Sequence, residues 1–137
     1  MESRCKCSAV TIDIATDEYN SINCHCNMCR ENYGSAFTTW VSINSGKVSI
    51  PNIASITEYA VSESSNSYFC SKCGTSIFAK DTRYPEVVAF LAGTIYGTTL
   101  REPSGEYFYS DKARWYKGVS SIQKFGGESG FEKIENT

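Results

Sequence analysis

The chain has almost no net charge, no long apolar run, no internal repeat and a single histidine. Thirteen Lys and Arg stand against fifteen Asp and Glu, a formal −2 at neutral pH. Such a balance offers no basic surface to a phosphate backbone, so neither DNA nor RNA is an expected partner. The longest apolar stretch, Val87 to Ala92, falls far short of the ~20 residues that a membrane-spanning helix needs. Met1-Glu2-Ser3-Arg4-Cys5 carries no apolar run, so a signal peptide is not expected either. No membrane partner and a cytoplasmic, reducing location follow as expectations. Helical periodicity is weak throughout, which leaves strands to carry the fold.

What the chain does have is cysteine, seven in all. Cys24, Cys26 and Cys29 fall within the stretch Asn23 to Arg30, close enough for one turn of backbone to aim all three thiols at one point. Cys5 and Cys7 lie near the start, and Cys70 and Cys73 past the middle. Seven thiols do not divide into disulfide pairs, and in a reducing compartment close-set cysteines read as metal ligands. They do divide into four plus three. A structural zinc takes four protein ligands, whereas a catalytic zinc keeps three and leaves one position for water or substrate. Two Zn²⁺ per chain are therefore expected, one closed and one open.

Between the cysteines the pattern is mostly β. Val10, Ile12 and Ile14 alternate with Thr11 and Asp13, the period of a half-buried strand. A short strand from Ser21 delivers Cys24 and Cys26, and Arg30 to Tyr33 make a turn or two of helix that Gly34 stops. Ala36 to Ile43 is rich in β-branched and aromatic residues and reads as a strand. Asn44-Ser45-Gly46 reads as a hairpin turn into Lys47 to Ile50. Ile56 to Val61 is a strand, and Ser62 to Ser67 a polar loop. Cys70-Ser71-Lys72-Cys73-Gly74 has the form of a metal knuckle, with a glycine that tolerates positive φ and backbone N–H groups free to bond thiolates. Thr75 to Ala79, Val87 to Ala92, Glu106 to Ser110 and Ala113 to Tyr116 complete the strands. Residues 1–118 form the expected domain, and 119–137 a loosely held tail in which Gly, Ser and Glu accumulate.

Cys-x-Cys near the start, Cys-His-Cys-x-x-Cys-Arg, and Phe-Cys-x-x-Cys-Gly-x-x-x-Phe resemble the glutathione-dependent formaldehyde-activating enzymes and the related centromere protein V. Tyr59, Pro103 and Lys112-Ala113-Arg114-Trp115 extend the likeness, which runs from Cys5 to Lys117. The resemblance implies a zinc-bound β-tent of stacked antiparallel sheets in a single domain. It implies a structural zinc on Cys5, Cys7, Cys70 and Cys73, and an active-site zinc on Cys24, Cys26 and Cys29. The activity it implies is that of a carbon–sulfur lyase joining or parting a thiol, typically glutathione, and a one-carbon aldehyde. The chain departs from the pattern at one point: Glu106 stands where many members carry a histidine.

Three thiolates on zinc leave a position for an incoming thiol sulfur, which zinc keeps deprotonated near neutral pH. No redox cofactor is needed. Other readings stay open beside this one. The three-cysteine group closes as a second structural zinc if a neighbour such as His25 is its fourth ligand, or it serves as a redox sensor. The whole chain is then a zinc-stabilised binding module, or a zinc-ribbon nucleic-acid binder that its acidic balance disfavours. His25 lies between two ligands, so its ring is expected to point away from the metal and to serve as a surface or outer-sphere group. Arg30 suits the carboxylate of a glutathione-like substrate, or is simply solvated. Trp40, Trp115, Phe69 and Phe78 are expected in the core. Lys112, Arg114 and Lys117 read as a solvated face.

Overall fold

Short β-branched runs separated by polar turns break the chain into many short strands. The structure, a computed structural model, describes residues 1–51, 53–118 and 121–135. In chain order the elements are β1 (Glu2–Arg4), β2 (Thr11–Ile14), β3 (Asn20–Cys24), α1 (Asn27–Tyr33), β4 (Thr38–Asn44), β5 (Val48–Ser49) and β6 (Ile56–Ala60). There follow β7 (Ser65–Cys70), β8 (Ser76–Asp81), β9 (Val87–Leu91), β10 (Ile95–Tyr96), β11 (Glu106–Tyr107), β12 (Lys124–Gly126) and β13 (Glu132–Ile134). Four single turns of 3-10 helix join them, at Ser45–Lys47, Ile53–Ser55, Ala92–Thr94 and Tyr109–Asp111. The chain is thus one mostly β domain with stacked sheets, as expected, and two compact units are distinguishable within it.

The first unit comprises Met1–Tyr19 and Val41–Leu100. One of its sheets runs β10-β1-β2-β5; the other runs from the end of β4 through β9, β8 and β7 to β6. Alternation does what the sequence pattern requires. Ile12 and Ile14 of β2 and Val88 and Phe90 of β9 alternate inward, while the consecutive Ile77 and Phe78 of β8 are both buried, all 3% exposed or less. Cys5 and Cys70 belong to the same apolar cluster. The β7–β8 hairpin turns at the Cys70 knuckle, where Gly74 sits at φ 78°, a conformation that favours glycine. Its amide bonds the Cys70 carbonyl at 2.9 Å.

The second unit comprises Asn20–Trp40 and Arg101–Thr137. Its strands lie in the order β13-β12-β11-β3-β4. Here β11 runs parallel to both neighbours, Glu106 opposite Asn23 on one side and opposite Lys124 on the other. That is a departure from the wholly antiparallel sheets expected. Helix α1 begins at Asn27, three residues before the helical run read from the sequence, because the Cys26 side chain caps it by accepting the Cys29 amide. Gly34, at φ 62°, ends it with a left-handed cap bonded to the Arg30 carbonyl.

Several local expectations fail for identifiable reasons. Asn44-Ser45-Gly46 makes a 3-10 turn and not a hairpin, since β5 pairs with β2. The polar run read as a loop is half strand, because β7 begins within it at Ser65. There β6 and β8 supply backbone partners to Asn66 and Ser67 whatever their side chains, Asn66 lying opposite Ala60 on one side and Lys80 on the other. Ala113 to Tyr116 is not a strand. In the stretch read as a loosely held tail, β12 and β13 form an antiparallel pair, Lys124 opposite Ile134, that extends the sheet from β11.

Candidate functional site

The seven cysteines come together as two clusters, one in each unit, and in each the sulfurs lie within 4.8 Å of one another. Cys5, Cys7, Cys70 and Cys73 form the first. The turn after β1 brings Cys5 and Cys7 together with sulfurs 3.6 Å apart, and Cys7 lies 3.8 Å from Cys70. A tetrahedral zinc with Zn–S bonds of about 2.3 Å would hold its sulfurs at roughly 3.8 Å. All seven cysteines are free thiols, and the spacing is compatible with metal-ligand geometry. Backbone amides point at the sulfurs: Val10 N–H at Cys5 (3.3 Å), and Lys72 and Cys73 N–H at Cys70 (3.4 and 3.5 Å). Burial raises the Cys5 thiol, yet the Val10 amide and the Cys7 and Cys70 thiols outweigh it and leave its pKa below the ordinary value. The Thr75 hydroxyl, with amides beside it, brings Cys73 down to about 5. At Cys7 the Ala9 amide is outweighed by desolvation and the Cys5, Cys73 and Cys70 thiols, which push it up to about 11, so negative charge is favoured on Cys5 and Cys73.

Cys24, Cys26 and Cys29 form the second cluster. Cys24 ends β3, Cys26 caps α1 and Cys29 is the buried residue of the helix. Cys24 and Cys29 are each 6% exposed, with sulfurs 3.5 Å apart, while Cys26 is half-buried. Negative charge settles on Cys26: the Cys24 thiol, then Cys29 and the Cys29 and Met28 amides, hold it down to about 3. Cys24 is pushed up to about 12 by the Cys26 thiolate it faces, and Cys29 is raised by Cys24 and Cys26 together. Crowding three sulfurs lets one of them ionise and penalises the rest, a repulsion that a divalent cation would remove. Among the described residues no fourth His, Cys, Asp or Glu joins this cluster.

His25 is not that fourth ligand. Its ring points away from the sulfurs, as expected, but it is fully buried and not at the surface. Nε2 lies 2.7 Å from Oε1 of Glu106, itself 1% exposed. Oε2 of Glu106 accepts from Asn23 Nδ2 at 2.6 Å, and Oδ1 of Asn23 accepts from the Thr39 hydroxyl at 2.6 Å. Burial alone would raise the Glu106 carboxyl, but His25 and Asn23, with Lys124 nearby, keep it below the ordinary glutamate value. Lys124 is 3% exposed. Phe37, Tyr109 and Tyr116 enclose the imidazole at ring distances of 5.0 to 5.5 Å. Sequence reading missed this network. Its trace is the inverted alternation of β3, which buries Ser21 and Asn23 and leaves Ile22 half-exposed.

Arg30 is not solvated freely. Nε bonds the His25 carbonyl at 3.3 Å, and Nη2 bonds the Asp111 carbonyl at 2.9 Å and the Asn27 side chain. It clips α1 to the turn that follows β11. Trp40 and Phe78 are buried as expected, Phe69 is half-buried, and Trp115 is 74% exposed. Trp115 instead lines a cleft of about 540 Å³ with Asn27, Arg30, Glu31, Gly34, Ser35 and Ala36. Arg114 and Lys117 are exposed, while Lys112 lies over the Tyr109 ring at 4.7 Å.

By architecture and ligand set this is a mostly β protein with one four-thiol and one three-thiol cluster, each of which could hold a metal ion. The family model of the glutathione-dependent formaldehyde-activating enzyme matches residues 1–111, and the chain belongs to that family. A crystal structure of a Rhodobacter sphaeroides protein shares the fold, with a TM-score of 0.59 at 18% identity over 72% of this chain and 91% of that one. No curated protein sequence matches the chain. No helix among the described residues is long and apolar enough to cross a membrane.

Proposed function

We propose that this protein is a zinc-dependent carbon–sulfur lyase acting on the adduct of a glutathione-like thiol and a small aldehyde such as formaldehyde. The observation that carries the reading is the second cluster: three convergent thiols, two buried and one half-buried, with no fourth acidic or histidine ligand among the described residues. Cys24, Cys26 and Cys29 would hold the reactive zinc, and Cys5, Cys7, Cys70 and Cys73 the structural one. Bound there, zinc would supply the Lewis acidity that keeps a substrate thiol deprotonated at neutral pH. In the forward direction the thiol sulfur forms a bond to the carbonyl carbon, and the π electron pair moves to oxygen, which takes a proton. Cleavage reverses these movements, so atoms and electrons balance without a redox partner.

The chain's own residues orient the reaction. Cys26, which the Cys24 and Cys29 thiols and nearby amides hold down to about 3, is the most accessible residue of the three. Asn27 follows it directly and lines the cleft with Arg30, Glu31 and the exposed Trp115. Those groups suit the amide, carboxylate and ammonium of a short peptide thiol. A reducing cytoplasm suits seven unpaired thiols.

Native mass spectrometry of wild type and of a Cys24/Cys26/Cys29→Ser triple variant tests the assignment. Two zinc ions falling to one, together with loss of S-hydroxymethylglutathione turnover, is the expected result. One zinc in both proteins would refute the open site and leave a zinc-stabilised binding module.

A further inference from the structure

We propose that Glu106 is a positioning residue for the three-thiol site and acts through His25, the residue whose peptide links Cys24 to Cys26. The proposal rests on the reading that these thiols hold a metal. It begins from hydrogen-bond polarity. The Thr39 hydroxyl donates to Oδ1 of Asn23, which turns the Asn23 amide nitrogen toward Glu106. Oε2 of Glu106 must therefore accept. Oε1 faces the Nε2 atom of His25. Despite burial, its neighbours keep Glu106 below the ordinary glutamate value, so it is a carboxylate with acceptors only, and Nε2 donates to it. Position 106 thus needs two acceptors side by side, and an ionised carboxylate provides them. A glutamine there would turn its own NH₂ against one of the two donors, and a histidine has no pair of acceptors.

The same contacts restrain the ligand loop. The His25 amide donates to the Tyr107 carbonyl at 2.9 Å, so backbone and side chain of His25 are both tied to β11. Arg30 holds the His25 carbonyl from the helix side. Phe37, Tyr109 and Tyr116 close around the ring. His25 Nδ1 is buried without a hydrogen-bond partner among the described residues. The imidazole is therefore held in orientation by one polar contact, the one to Glu106. Losing it removes the ring's one polar restraint, and a shift of the packed imidazole is passed through the His25 backbone to the turn that joins Cys24 to Cys26. Groups bonded directly to a metal ligand typically change metal affinity about 10–100-fold when removed, and Glu106, one residue further from the metal, is expected at the low end, about tenfold.

The test uses the full-length, zinc-loaded chain as wild type, Glu106→Gln, and Glu106→Gln combined with Asn23→Asp. In the double variant the aspartate accepts from Thr39 and from the glutamine NH₂, and the glutamine oxygen again accepts from His25. Chelator competition reads the affinity of each metal equivalent. Cobalt substitution reads thiolate geometry through the charge-transfer and d–d bands, and the Cys5, Cys7, Cys70 and Cys73 cluster serves as internal reference. Glu106→Gln should weaken only the second equivalent, about tenfold, and shift its cobalt bands. The double variant should regain most of that loss.

A second equivalent bound as tightly as in wild type, with unchanged cobalt bands, overturns the proposal. So does equal weakening of both equivalents, or a double variant no better than the single. If Glu106→Gln does not fold, His25→Phe keeps a ring among Phe37, Tyr109 and Tyr116 and removes the contact through which Glu106 acts. A loss confined to the second equivalent supports the proposal, and no loss overturns it. Wild-type stoichiometry is read first. A single equivalent there refutes the metal reading, and this proposal with it; two equivalents with unaltered variants refute this proposal alone.

Discussion

Cys70→Ser tests whether the four-thiol cluster holds a stabilising metal. Cys70 is fully buried and its sulfur accepts amide hydrogens from Lys72 and Cys73. Serine keeps the size and an acceptor for those amides, so the variant neither opens a large cavity nor orphans a backbone donor. What it removes is one thiolate. Structural zinc contributes about 10–16 kcal/mol of apparent folding energy through four ligands, so one ligand is worth roughly 3 kcal/mol. That is a large share of the ~5–15 kcal/mol net stability of a domain. At about 3 °C per kcal/mol for a chain of this size, the melting temperature should fall by roughly 10 °C. The assay is differential scanning calorimetry of wild type and variant, each with zinc and with a strong chelator. The gap should be wide with zinc and should nearly close with chelator. Equal melting with zinc present would refute the structural assignment. A gap that survives chelation would show that Cys70 acts through packing and not through metal.

Three further outcomes are expected. Glu106 is ionised in the fold below the ordinary value of 4.5, so its stabilising contribution is full above that pH and is lost as pH falls through the depressed folded value. Urea titrations should accordingly show the advantage of wild type over Glu106→Gln shrinking below pH 4.5, and an advantage that grows on acidification would contradict the assignment. Trp115→Ala, at a position 74% exposed, should change stability by no more than about 0.5 kcal/mol. It should raise KM for glutathione several-fold while leaving that for 2-mercaptoethanol unaltered; equal effects on both thiols would remove the cleft from substrate binding. Truncation after Gly118 deletes β12, whose pairing partner is β11, and should lower the melting temperature by several degrees, whereas an unchanged melt would show the segment to be dispensable.

The two kinds of cysteine cluster were legible before any coordinate, and so was the mostly β character of the chain. Ligand chemistry is local: Cys-x-Cys, Cys-x-x-Cys and a following glycine put sulfurs on one turn through backbone geometry alone, as Gly74 and the Cys70 amide bonds show. Period-two alternation likewise located β2, and the short apolar run from Val87 located β9. The pairing of Cys5 and Cys7 with Cys70 and Cys73 spans more than sixty residues, and there the likeness to a family supplied what spacing could not.

Only the tertiary structure decided the surroundings. β12 and β13 have little apolar pattern, and they exist as strands because β11 offers an edge to pair with. Trp115 reads as core by composition, yet the turn that carries it leaves it in the open. Glu106 and His25 are eighty-one positions apart and look like surface residues one by one. They are buried because each satisfies the other, and a mutual satisfaction of this kind is a property of the parallel register between β3 and β11, which no local pattern of residues encodes.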